Sequence, residues 1–214
     1  MAHSRTWVRF PAPPQEKEKS LQQILIGTNN QGKIDEYKIL LKGLFDPVSL
    51  NSYGISLNVE ETGVTYEENA IIKLKYLIQK SSIPVITDDS GLEVISLNNE
   101  PGVFSARYAG KGSSDQENLN KLLKKMEGNT DRTARFVCCI AYGNPTNVDS
   151  PIIGYGTCKG LITESPMGKN GFGYDPVFYN EELSKTFGEL EPNKKILLSH
   201  RSEAVKDLLT KLNI

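Results

Sequence analysis

What this 214-residue chain has little of narrows its chemistry early. Histidine is nearly absent: of the two present, only His200 lies outside the N-terminal tail, so no multi-histidine metal centre can form. Cysteine is scarce as well. Cys138 and Cys139 are neighbours that would face opposite ways on a strand, and Cys158 stands alone. That pattern is no disulfide framework and fits reduced side chains in a cytoplasmic protein. No apolar run is long enough to span a bilayer and no signal-peptide core precedes a cleavage site, so no membrane partner is expected. A charge excess is missing too. With 25 basic and 26 acidic residues, a formal net charge of -1 offers no basic field to nucleic acid. An anionic ligand must therefore be met by a local site.

The chain does have enough apolar residues, 38%, for one good core or for two lobes sharing one. Residues 1–20, with Pro-Ala-Pro-Pro and then a charge run, read as a disordered extension ahead of a single domain over residues 21–214. From there strand and helix signals alternate. "QILIGT" (23–28) reads as a strand, and residues 33–44 as a helix with Ile34, Tyr37, Leu41 and Leu44 on one face. Thr65 with Glu68 and Ser114 with Glu117 have capping-box spacing, each ahead of an apolar stripe. Residues 83–88 and 92–97 read as two strands, 133–143 and 151–160 as a long pair, and 202–212 as a closing amphipathic helix. This order predicts an α/β fold around a mixed sheet.

Four segments carry chemistry. "GTNNQGK" (27–33) sits at a strand-to-helix turn, where small and amide residues free backbone N–H groups and Lys33 adds a positive charge, a setting for phosphate. Its spacing matches a P-loop, except that Ile34 stands where magnesium would need a hydroxyl. Glu60, Glu61, Asp88, Asp89 and Glu93 offer hard oxygen ligands suited to magnesium. On a strand Asp88 and Asp89 point opposite ways, so one of them faces the site; as a turn, "DDSG" would be solvated. "GKNGFGYDPVFY" (168–179) brackets Phe172 and Tyr174 with glycines and follows them with Asp175, which suits a flat heterocycle or, more plainly, a core-filling hairpin. In "LLSHRSEA" (197–204), Ser199 as N-cap puts His200 and Arg201 at the positive end of a helix, a costly place for a cation unless an anion or electron-rich group lies opposite.

"TNNQGKIDE", "EETGVTYEENA", "TDDSGLEV", "PGVFSARYAG", "GFGYDPVF" and "SHRSEA", in this order, resemble the inosine triphosphate pyrophosphatase family from about residue 23 to residue 212. The resemblance implies an elongated mixed β-sheet flanked by helices, two lobes with the active-site cleft between them, and a homodimer. It implies magnesium-dependent hydrolysis of inosine, xanthosine and deoxyinosine triphosphates to monophosphate and pyrophosphate. It further implies that Thr28, Asn29, Asn30, Gln31, Gly32 and Lys33 bind phosphate, that Glu60 and Asp89 hold magnesium, and that Asp89 accepts a proton from water. Ser90, Phe172, Gly173, Tyr174, Asp175, Lys195, His200 and Arg201 would complete the substrate pocket, with Lys33 and Lys195 on phosphates and Asp175 and Arg201 on the base edge. A P-loop-like NTPase or kinase, which would release inorganic phosphate or phosphorylate an acceptor, and a non-catalytic nucleotide-binding module are the competing readings.

Overall fold

The computed structural model describes residues 20–214, so the extension expected at the N-terminus lies outside the described residues except for Ser20. Strand β1 (Gln23–Ile26) leads through the Gly27–Asn30 turn into helix α1 (Gln31–Leu40). Asn30 caps that helix by accepting from the Lys33 amide, so the first helical residue, Gln31, lies two positions before the expected start. The helix also ends earlier than its apolar spacing suggests, because Gly43 turns the chain with φ of 81° and leaves Leu44 exposed. Strand β2 (Asp46–Ser49) and the short helix α2 (Leu50–Tyr53) precede α3 (Tyr66–Ile78). Both expected capping boxes form, Thr65–Glu68 on α3 and Ser114–Glu117 on α4 (Asp115–Lys125). The remaining elements are β3 (Val85–Val94), β4 (Glu100–Pro101), β5 (Thr133–Asn144), β6 (Asn147–Ile162), β7 (Phe178–Asn180), β8 (Lys185–Thr186), α5 (Pro192–Leu197) and α6 (His200–Leu212).

The strands form one mixed sheet of eight, ordered β2-β1-β3-β5-β6-β7-β8 with β4 beside β3. Strand β1 runs parallel to β2 and β3, and the other pairings are antiparallel. The two strands expected over 83–88 and 92–97 are one. Strand β5 pairs with β3 without a break, from Val85 opposite Gly143 to Val94 opposite Ala134, and this ladder overrides the turn-like composition of Asp-Asp-Ser-Gly. Beyond Val94 the chain leaves the sheet in a 3-10 turn, Ile95–Leu97.

Apolar side chains gather in three clusters. One lies under α1 and α6 and includes Ile26, Tyr37, Ile86, Cys138 and Leu208. A second lies on the opposite face under α3 and includes Leu25, Leu74, Leu77, Val85 and Cys139. Cys138 and Cys139 therefore do face opposite ways, as period-two alternation requires. The third cluster fills the other end of the sheet, with Leu92, Val94, Leu122, Phe136, Phe178 and Phe187. Strand β3 thus starts in the first two cores and ends in the third, and its two aspartates lie between them.

Candidate active site

A cleft of about 360 Å³ opens at this junction, within the range of small-molecule sites. Thr28, Asn29, Asn30, Lys33, Asp89, Ser90, Phe172, Gly173, Tyr174, Asp175, Lys195, His200 and Arg201 line it, so most of the expected site residues come together across 170 positions of sequence or more. Three do not. Gln31 is exposed and donates to Asp35; Gly32 packs beneath the Phe172 ring; Glu60 is exposed while its neighbour Glu61 lines the cleft. The acid that the chain brings to this wall is therefore Glu61, held by Lys73 at 2.8 Å and Arg107 at 3.2 Å. Glu93 leaves the acidic group altogether to pair with Arg135 at 2.7 Å.

The parity of β3 sends the two aspartates to opposite faces, and each meets cations from the helices covering that face. Asp88, opposite Ile140, receives Lys33 Nζ from α1 at 2.9 Å and Arg201 Nη2 from α6 at 3.1 Å. Burial pushes its carboxyl up, but Lys33, Arg201 and Lys73 outweigh that and hold it well below the usual carboxylate range. Asp89, opposite Cys139, accepts from Asn69 Nδ2 at 3.0 Å and lies 3.8 Å from Lys73 Nζ, both on α3. Here burial wins and the carboxyl is raised, with Glu61 adding to the rise and Lys73 and Lys33 opposing it. A buried carboxylate with a raised pKa beside ammonium groups is the setting of a general base.

On the Asp88 side the charges continue as a buried chain. Arg201 Nη1 donates to Glu36 and Arg201 Nη2 also donates to Ser90 Oγ at 3.0 Å. Lys195 Nζ reaches Glu36 at 2.9 Å and Asp175 at 2.5 Å, and lies 4.6 Å from the centre of the Phe172 ring. Ser199 caps α6 by accepting from the Ser202 amide. The anions that make Arg201 tolerable at this helix start are thus the protein's own Glu36 and Asp88. His200 is relieved differently: burial, then Arg201, Lys195 and Lys33, depress its pKa and keep it neutral, with its ring stacked on Phe136 at 4.8 Å. His200 Nδ1 and Arg201 Nε are both buried with no hydrogen-bond partner among the described residues. Such orphaned polar atoms on a cleft wall are where a ligand's polar edge would be met.

The aromatic segment divides between its two expected uses. Tyr174 is buried in the third core, its hydroxyl donating to Ser105 O at 2.9 Å. Phe172 stays half-buried at the cleft, and glycine at position 32 is what lets its ring settle there, since a Cβ would overlap it. Ile34 is buried in the core under α1, which removes the P-loop hydroxyl position from the site. Glu36 and Asn69 lie inside the segments "TNNQGKIDE" and "EETGVTYEENA" without a role assigned to them there, and Lys73 lies beyond every quoted segment. Their signal is position: Asn69 and Lys73 continue the line of Leu77 at i, i+4 spacing, and Glu36 adjoins Tyr37.

A sequence model of the Ham1 family matches residues 24–211. The chain is 45% identical over 196 residues to the dITP/XTP pyrophosphatase of Vibrio parahaemolyticus, covering 90% of this chain and 98% of that one. It is 43% identical over 185 residues to the dITP/XTP pyrophosphatase of Staphylococcus aureus, covering 86% and 93%. Among solved structures, the Staphylococcus aureus Ham1 protein superposes with a TM-score of 0.78 at 43% identity, covering 90% and 98%. A HAM1 protein from Coxiella burnetii gives 0.80 at 40% identity, covering 90% and 99%. With the fold, the cleft and the matched span in agreement, this chain belongs to the Ham1 family.

Proposed function

We propose that this chain is a nucleoside triphosphate diphosphatase that hydrolyses ITP, dITP and XTP to the monophosphate and pyrophosphate, and so clears non-standard purine nucleotides from the pool. The observation that carries the reading is the polarity of the cleft. Asp89, Lys73 and Lys33, which suit phosphates, line the same cleft as Phe172, His200 and Arg201, which suit a heterocycle. The names of relatives at 43–45% identity support the same substrate class.

In this reading Asp89 orients water and takes its proton, which its raised pKa equips it to do. Thr28, Asn29, Asn30 and Lys33 line the cleft at the start of α1 and receive phosphate oxygens there, aided by the positive end of the helix dipole. Lys33 changes partner in the course of binding, from Asp88 toward phosphate, and Arg201 then carries Asp88 alone. Lys73 lies between Glu61 and Asp89 and steadies both carboxylates. Phe172 supplies a face for the base. Arg201 Nε and His200 Nδ1 supply donors toward a 6-oxo group, which an adenine amino group cannot satisfy. Lys195 reads best as the support of Asp175 and Glu36, since both its hydrogen-bond partners are buried carboxylates.

The donor set fits magnesium. No group of three or more His, Cys, Asp or Glu side chains is placed to hold a metal among the described residues, but Glu61 and Asp89 provide the one or two carboxylates that magnesium commonly takes alongside substrate phosphates. Bound there, the ion would neutralise charge on the phosphates. The proposal extends to a single domain over residues 21–214 acting as a homodimer in the cytoplasm. No helix among the described residues is long and apolar enough to cross a membrane.

The test is turnover of ITP, XTP and dITP beside ATP and GTP with pyrophosphate and inorganic phosphate measured separately. Pyrophosphate release, faster with the first three and lost on chelating divalent cations, is expected. Release of inorganic phosphate alone would instead indicate a P-loop-like NTPase, and tight ITP binding without turnover a regulatory module.

A further inference from the structure

The segment that carries Phe172 has little regular structure of its own, and Gly171 and Gly173 take φ values of 78° and 60°. It is held from two sides. On one side Asp175 Oδ2 accepts from the Phe172 amide at 2.9 Å and from Lys195 at 2.5 Å, and the ring rests on Gly32. On the other side, next to Tyr174 and its bond to Ser105, there is one contact to a charged group. Asp115 Oδ2, from the first residue of α4, accepts from the Gly173 amide at 2.7 Å across 58 positions of sequence. Asp115 is not needed to cap its own helix, because Ser114 and Glu117 complete the capping box there and leave it only the general benefit of a negative charge in the first turn. It is exposed at the rim of the cleft, so its place is not dictated by burial.

We propose that Asp115 is a positioning residue that latches the Phe172 segment to α4 and so pre-forms the aromatic wall before a nucleotide enters. The inference rests on the activity proposed above and adds a residue to it. Without the latch, substrate must itself order a segment with two left-handed glycines, which weakens binding more than chemistry. Asparagine at 115 keeps an oxygen that accepts the same amide proton; alanine does not.

The test compares wild type, Asp115→Ala and Asp115→Asn in ITP kinetics and in amide hydrogen exchange of the region 168–178 of the nucleotide-free protein. For D115A, loss of one hydrogen bond whose acceptor is solvent-exposed predicts a KM higher by about 3- to 10-fold, with kcat within about twofold of wild type. Exchange at Gly173 should quicken in the same variant, and D115N should restore both readings. Unchanged exchange and KM in D115A, a D115N protein as impaired as D115A, or a loss confined to kcat would each overturn the latch. If wild-type protein releases no pyrophosphate from ITP, the activity reading fails, while the exchange comparison still decides whether Asp115 holds the segment.

Discussion

Asp88 and Asp89 are chain neighbours whose carboxyls are driven in opposite directions. Asp88 is held below its ordinary value of 3.8, so it contributes stability at pH values above that, which is lost as the pH falls toward its folded value. Asp89 is raised above 3.8, so its charged form opposes folding and its protonation on acidification relieves that cost. A base must be ionised, and the consequence is an ordering: activity should fail before the fold does. On the acid limb, kcat/KM is expected to decline one decade per pH unit from above pH 3.8 while far-UV circular dichroism stays native, and simultaneous loss of both would contradict it. Asp89→Asn should lower kcat/KM by about 100- to 10,000-fold. Its melting temperature should equal or exceed that of wild type, since Asn69 still finds an acceptor and the buried charge is gone. Arg201 behaves in the reverse way. It is 1% exposed between Glu36 and Asp88, and Arg201→Ala leaves two buried carboxylates short of a partner, a loss of about 3–5 kcal/mol in urea denaturation.

At the scale of elements, what the sequence made legible was whatever depends on near neighbours. Both capping boxes, the β5–β6 pair and the α6 start at Ser199 follow from spacing within a few residues. The continuity of β3 did not, because Asp-Asp-Ser-Gly is turn-like until β5 supplies its hydrogen bonds from about fifty residues away. Likewise the motifs brought most of the cleft residues into view, but Glu61 over Glu60 is decided by how an irregular segment meets Lys73 and Arg107. Tertiary contact also explains glycines that no turn requires. Gly156 on β6 lies against the backbone of His200 and Ala204, where a Cβ would overlap both. Gly156→Ala should therefore push α6 off the sheet at the end bearing His200 and Arg201. A loss of about 1–3 kcal/mol in denaturant midpoint together with a raised KM is expected; a stable variant with unaltered KM would show that α6 can shift without consequence.

Taken whole, the molecule hangs three apolar clusters on the same long strands, two at one end and one at the other. Because β3, β5 and β6 run through both ends, neither half can lose its sheet without unpairing the other. Thermal unfolding followed by far-UV circular dichroism and by tyrosine near-UV signals should coincide in a single transition, and two separated midpoints would count against this coupling. The same arrangement limits how the gene can vary. Residue types along β3 can drift wherever packing allows, but its length cannot. Between Ile86 and Leu92, removal of one residue would exchange inside for outside over half the strand, turning Asp88 away from Lys33 and Arg201 or Leu92 to the wrong core. Insertions and deletions in relatives should therefore fall in the loops on either side, and residues 85–94 should keep a constant count even where few of their letters persist.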